Sequence, residues 1–171
     1  YNYLEQTWYY GSLVRTAWID RSSGSRLFPQ SPGTDGVLYN HEFGLDDGSN
    51  YPPTAINAFV QSSDFDIGDG QQFMLINRIL PDLNFGQSTA TSPEVTFTMG
   101  ARNFSGSVAG QGNASGDVTR TSVVSGDENY TNQLHMRLRG RQMNLKVESN
   151  ATGVKWRLGA PRLDMRPDGR R

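Results

Sequence analysis

The chain has no cysteine in its 171 residues. That excludes a disulfide framework and any cysteine-based zinc or redox site. No apolar run reaches the roughly 18 residues that a membrane-spanning helix needs, and no charged start leads into an apolar core. No membrane partner is expected. Helix-favouring composition is scarce, and no apolar stripe at 3.6-residue spacing exceeds two turns. The motifs G-x-x-x-x-G-K, G-x-G-x-x-G, H-E-x-x-H and G-x-S-x-G are all missing. No cofactor is expected. The chain also begins without Met, inside the strand-like run "YNYLEQTWYY", and reads as a piece of a longer polypeptide.

What is present points to β-structure. Hydrophobic content is 35%, with 19 glycines and 8 prolines, and aromatic residues are too plentiful for a disordered chain. Two-residue alternation dominates. "TWYYGSLVRTAWID" (7–20) reads as two strands broken at Gly11-Ser12, and "VLYNHEFG" (37–44) as a short one. "QFMLINRIL" (72–80) is too apolar to alternate, which predicts a central or doubly buried strand. "EVTFTMGARNF" (94–104) turns Val95, Phe97 and Met99 inward. The segment 105–117 carries four glycines and is expected to be a flexible loop. About ten short strands at this turn spacing predict an antiparallel β-sandwich-like domain. No repeat of fixed period supports a complete propeller.

Charge is unevenly spread. Residues 1–130 hold 6 Lys+Arg against 14 Asp+Glu, a balance of −8, whereas residues 131–171 hold 10 against 3, a balance of +7. Such asymmetry suits an anionic partner or a complementary face on another copy. The basic part centres on "LHMRLRGRQMNLKVES" (134–149). Leu134, Met136 and Leu138 share one parity and Arg137, Arg139 and Arg141 the other. After Gly140 the parity changes, with Met143, Leu145 and Val147 now on the apolar side. Gly140 is therefore expected at a bulge or a tight hairpin turn, with the arginines and Lys146 sharing one outer face. That face is either simply solvated or a site of phosphate contact or subunit contact, and Arg157 joins it as a candidate.

Other constellations are weaker. "DFDIGDG" (64–70) fails the calcium-loop pattern, which needs Gly at the sixth place and Glu at the twelfth. Asp69-Gly70 reads instead as a hairpin turn. His41 and His135 have no second histidine at ligand spacing. Glu42 with Asp46 and Asp47, or Asp64 with Asp66, could form a carboxylate pair for glycoside hydrolysis, although acidic pairs in loops are usually solvated. The aromatics Tyr39, Tyr51 and Trp156 allow an alternative reading as a carbohydrate-binding or adhesin-like module, although the alternation of Trp156 with Val154 and Leu158 suits a core residue. Asn-x-Ser/Thr at Asn103, Asn113, Asn129 and Asn150 carries little weight in so Asn- and Ser-rich a chain.

Four blocks carry a resemblance: "WYYGSLVRTAWID" (8–20), "LYNHEFGLDDG" (38–48), "SSDFDIGDG" (62–70), and "RLRGRQMNLKVES" with "GVKWRLGAPRLDMRPDGRR" in 137–171. Together they resemble the C-terminal part of podovirus tail proteins of the packaged-DNA stabilisation, or tail nozzle, type. The likeness spans nearly the whole chain and is least in 105–126. It implies a non-enzymatic virion protein of the phage tail, forming a ring, typically a hexamer, below the portal and adaptor. DNA would pass through that ring without sequence-specific contact. It also implies that residues 1–36 are part of a propeller blade and residues 37–171 the sandwich-like domain. The family brings no catalytic residues.

Overall fold

A computed structural model describes residues 1–4, 6–8, 10–21, 27–49, 51–104, 106, 118–125 and 133–170, with the backbone alone at 118–122 and 125. The glycine-rich segment expected as a loop lies outside the described residues, Gly106 excepted. So do Asn113 and Asn129. The described residues are all-β, in several antiparallel sheets, with no helix. They form neither a closed barrel nor a propeller. The chain divides into two compact units, Tyr1–Gly44 and Leu45–Arg171.

The first unit holds one two-stranded sheet, β1 (Gln30–Pro32) antiparallel to β2 (Leu38–Asn40). Residues 37–44 thus belong with the N-terminal part. The two strands expected over 7–20 do not form ladders there. Among the described residues this stretch makes single bridges only, Thr7 to Asn2, Arg15 to Gly33 and Ile19 to Gln30. Trp8, Tyr10, Leu13, Val14, Trp18 and Ile19 are between 44% and 85% exposed. Strand preference expresses packing against a neighbouring surface, and the single ring contacts of Trp8 with Tyr1 and of Trp18 with His41 leave most of these side chains' area open.

The second unit contains the core. One sheet runs β3 (Ala58–Gln61), β10 (Gln142–Ser149), β7 (Glu94–Arg102), β8 (Val118–Ser125), with β4 (Phe65–Asp66) also pairing β10. The other runs β12 (Arg162–Pro167), β5 (Met74–Leu80), β9 (Leu134–Gly140). A short pair joins β6 (Leu83–Asn84) to β11 (Arg157–Leu158). Alternation places Val95, Phe97 and Met99 of β7, Met136 and Leu138 of β9, and Met143 and Val147 of β10 in one buried cluster. Met74, Ile76 and Ile79 of β5 join them. β5 is central in its sheet, as its apolar run suggests, but only one of its faces is buried. Its ladder to β9 shifts register between Ile76 and Arg78, and that irregularity lets Ile76 and Ile79 point inward on a chain whose period is two.

Two turn expectations change. β9 and β10 do not pair as a hairpin. They lie in different sheets, and the Gly140-Arg141 corner carries the chain from one to the other. A Cβ on Gly140 would stand 3.0 Å from the Ala101 Cβ and 3.2 Å from the backbone N and O of Arg102. Close approach to β7, not a bulge, is what requires glycine at this position. At Asp69-Gly70 the φ values are 56° and 71°, so the turn chemistry is as read. The turn does not close a hairpin, because β4 pairs β10 while β5 pairs β9 and β12.

Candidate interaction surface

The charge split lies inside the second unit. Residues 1–44 carry 3 Lys+Arg against 4 Asp+Glu, so the acidic surplus is almost all in 45–130, at 3 against 10. The basic surplus follows in the same unit.

The candidate basic residues do not form one cluster. Arg137 and Arg139 project from the outer face of β9, between the buried Leu134, Met136 and Leu138. Lys146 projects from β10 in the other sheet, where its Nζ pairs with Glu148 Oε2 at 2.5 Å and lies 5.2 Å from the Phe59 ring centre. The single outer face expected for all four residues is thus split by the corner at Gly140. Arg157 is exposed on the short strand β11.

Arg139 and Arg141 are committed within the chain. Phe73, 7% exposed, lies under both guanidinium groups, at 3.9 Å from Arg139 and 4.7 Å from Arg141. Arg139 Nε donates to Asp168 Oδ2 at 2.5 Å and a second nitrogen donates to the Asp168 carbonyl at 3.2 Å. Arg141 donates to the carbonyls of Gly70, Gln71 and Arg170 at 3.0–3.2 Å. The backbone of Phe73 closes the arrangement, donating to Gly169 and accepting from Asp168. Five donors in a planar fork suit this use of arginine, since one side chain can stack on a ring and bridge several carbonyls. Sequence reading did not find this clamp. Its only local signal is a basic pair flanking Gly140, and the ring it holds lies far earlier in the chain.

The acidic candidates build turns. Asp46 accepts the Gly153 amide at 2.7 Å, and Asp47 the Ser49 amide at 2.9 Å. Asp64 accepts the Arg102 guanidinium and the Asn144 amide. Among the described residues no three His, Cys, Asp or Glu side chains gather to hold a metal. The hydroxyl of Ser31 contacts His41 Nε2, but Ser31 is fully buried and presents no nucleophile to solvent. His41 also stacks on Trp18 at 4.6 Å, whereas His135 is exposed on β9. Of the aromatics considered for sugar stacking, Trp156 packs against the core and Tyr39 lies under Arg15 at 4.1 Å. Tyr51 alone of the three is fully open, and one ring makes a poor sugar platform.

Tyr39 donates its hydroxyl to Asp35 Oδ2, and the Val37 amide donates to Oδ1 at 3.1 Å. The Tyr39 bond, followed by the Val37 bond, lowers the Asp35 pKa below its ordinary 3.8. A carboxyl with a depressed folded-state pKa stabilises above the ordinary value, and that contribution is lost as pH falls through the lowered one. Protection of the Val37 amide, taken relative to its intrinsic exchange rate at each pH, is therefore expected to fall on acidification below about 3.8, and Asp35→Asn to remove that loss. Unchanged protection in the wild-type chain across this range would contradict the assignment.

No protein-family model and no curated protein sequence matches the chain. No helix among the described residues is long and apolar enough to cross a membrane. The fold and surface define an all-β protein with a well-packed C-terminal unit and an N-terminal unit rich in open apolar surface.

Proposed function

We propose that this chain is a structural, non-enzymatic part of a phage tail, a nozzle or head–tail conduit component that helps retain and conduct packaged DNA in the virion. It would be a β-sandwich-like domain joined to part of a propeller blade, assembled into a homo-oligomeric ring, with a portal or adaptor and other tail proteins as neighbours. The sequence blocks named above motivate the family. The observation that carries the assembly is the exposure of apolar side chains near the start of the first unit, where Tyr3, Leu4, Trp8, Tyr10, Leu13 and Val14 are all mostly open to solvent. Six large apolar side chains open within fourteen residues are more than the scattered single ones a free surface carries, and such exposure fits an interaction site. In a ring, a heterologous contact covers it on every subunit.

Electron microscopy of the purified protein, with mass measurement in solution, tests the reading. Closed rings of one symmetry are expected. A monodisperse monomer at high micromolar concentration would overturn it. Reversing the charge of Arg137, Arg139 and Arg141 together is a poor test of assembly, because two of the three hold Phe73. Replacing Trp8 and Leu13 by Ser leaves the core of the second unit untouched and should abolish the rings.

A further inference from the structure

The register of the three-stranded sheet collects more arginines than any local stretch of sequence displays. Arg166 of β12 lies across Leu75 from Arg139, and Asp164 lies across Arg78 from His135. Arg162 lies beside Leu80. Arg137 lies on the same side as Arg139, because the residues between and beside them are buried. One outer sheet face therefore presents Arg78, Arg137, Arg139, Arg162, Arg166 and His135, and all six are exposed.

Two carboxylates oppose them. Asp164 takes Arg78 at 3.2 Å and Arg166 at 3.8 Å, and Asp168 takes Arg139 at 2.5 Å. Arg137 and Arg162 have no ion pair or hydrogen bond among the described residues. Five arginines against two carboxylates leave a balance of +3. The face is also built from one type of cation. The chain holds 14 Arg and 2 Lys, and neither Lys146 nor Lys155 lies on these strands. Arginine's flat fork engages two oxygens of a phosphate together and sheds water more readily than an ammonium.

We infer that the outer face of β12–β5–β9 binds the phosphate backbone of duplex nucleic acid through Arg137 and Arg162, with Arg166 in support. A duplex fits this charge pattern better than a small anion, which would need a pocket and converging donors. Strands rise by about 3.4 Å per residue and lie about 4.8 Å apart, so the arginines spread over a shallow patch on the order of 20 Å long. A duplex presents a charge about every 1.7 Å along its axis and can meet all of them at once. No base contact follows from such a face, since phosphate contacts fix position and carry no sequence information. The inference sharpens the tail reading by naming the surface that meets DNA, yet duplex binding and ring formation are separate measurements and each can fail without the other.

The test is fluorescence anisotropy of a labelled random-sequence 20-base-pair duplex, titrated with the whole protein between 50 and 200 mM salt. With about three phosphate contacts, log K should fall against log salt with a slope near −2.7, roughly a 40-fold loss over this range. The variant Arg137→Gln with Arg162→Gln should bind at least tenfold more weakly at 50 mM and lose about 2 from the slope. Arg157→Gln, an exposed arginine off this face, should bind like the wild type. Thermal melting of each variant checks that the fold is kept. Three results would overturn the inference. One is no duplex binding at 50 mM salt. Another is an equal loss in Arg157→Gln. The third is a double variant that keeps duplex affinity but no longer self-associates, which would assign the face to an acidic surface of a second copy.

Discussion

Replacing Phe73 by alanine is expected to destabilise the second unit by about 3 kcal/mol, more than the loss of any single ion pair in the chain. The ring is almost fully buried at the end of β5, yet its cover comes mainly from outside the apolar cluster. Two guanidinium groups lie over it, and residues 168–170 wrap beside it. Removing the ring withdraws apolar area and a cation–π contact worth about 0.5–2 kcal/mol for each arginine. It also leaves Arg139 and Arg141 holding the C-terminal segment without their shared platform. The Asp168 and Asp64 ion pairs are partly open to solvent, and either one alone should be worth about 1 kcal/mol or less. Urea unfolding checks this, with a lower midpoint at unchanged slope. Faster exchange of the Asp168 amide, which donates to the Phe73 carbonyl at 2.7 Å, would localise the loss to the C-terminal segment. Phe73→Leu separates the two contributions, since it keeps most of the apolar area and loses the ring. A cost below 0.5 kcal/mol for Phe73→Ala would mean that the arginines do not cover the ring in solution.

The contrast between Phe73 and its arginines shows which parts of the fold were legible. Parity within a strand was. Leu134, Met136 and Leu138 are buried and Arg137 and Arg139 exposed, as alternation requires, and the parity change after Gly140 is present. Val95, Phe97 and Met99 point inward for the same reason. What parity cannot supply is the identity of the neighbouring strand. A hairpin and a corner between sheets bury the same residues of 134–149, so the local pattern could not choose between them. Leu75 faces Arg139 and Leu80 faces Arg162 only because β5 sits between two strands from the far end of the chain. The arginine face was therefore visible only in part, as Arg137 and Arg139, and Arg162 and Arg166 went unread. The N-terminal run shows the opposite failure. Its aromatic and β-branched residues carry a strong strand signal, yet no ladder forms over them among the described residues, and Trp8 and Tyr10 stay 79% and 85% exposed.

The corner at Gly140 should be the most intolerant position of the basic stretch, although it bears no side chain. Gly140→Val is expected to cost about 3 kcal/mol, at the upper end of overpacking penalties. The obstruction is backbone as well as side chain. The nearest atom to an added Cβ is the Ala101 Cβ, but the amide and carbonyl of Arg102 follow at 3.2 Å. That carbonyl accepts the Arg141 amide at 2.9 Å, so it cannot retreat without breaking the bond that starts β10. Two further methyl groups would force β9 and β10 apart where they hand the chain from sheet to sheet. Alanine should cost about 1 kcal/mol, because a shift of a few tenths of an ångström accommodates it. Ala101→Gly removes the closest contact, so the added cost of Gly140→Ala should be smaller in that background, which a double-mutant cycle reads directly. Substituting Arg137 or Arg162 on the neighbouring face, by comparison, should change stability by less than about 1 kcal/mol while changing anion affinity. Equal stability of the wild type and Gly140→Val in urea would show that the corner is not close-packed, and that the basic stretch turns in some other way.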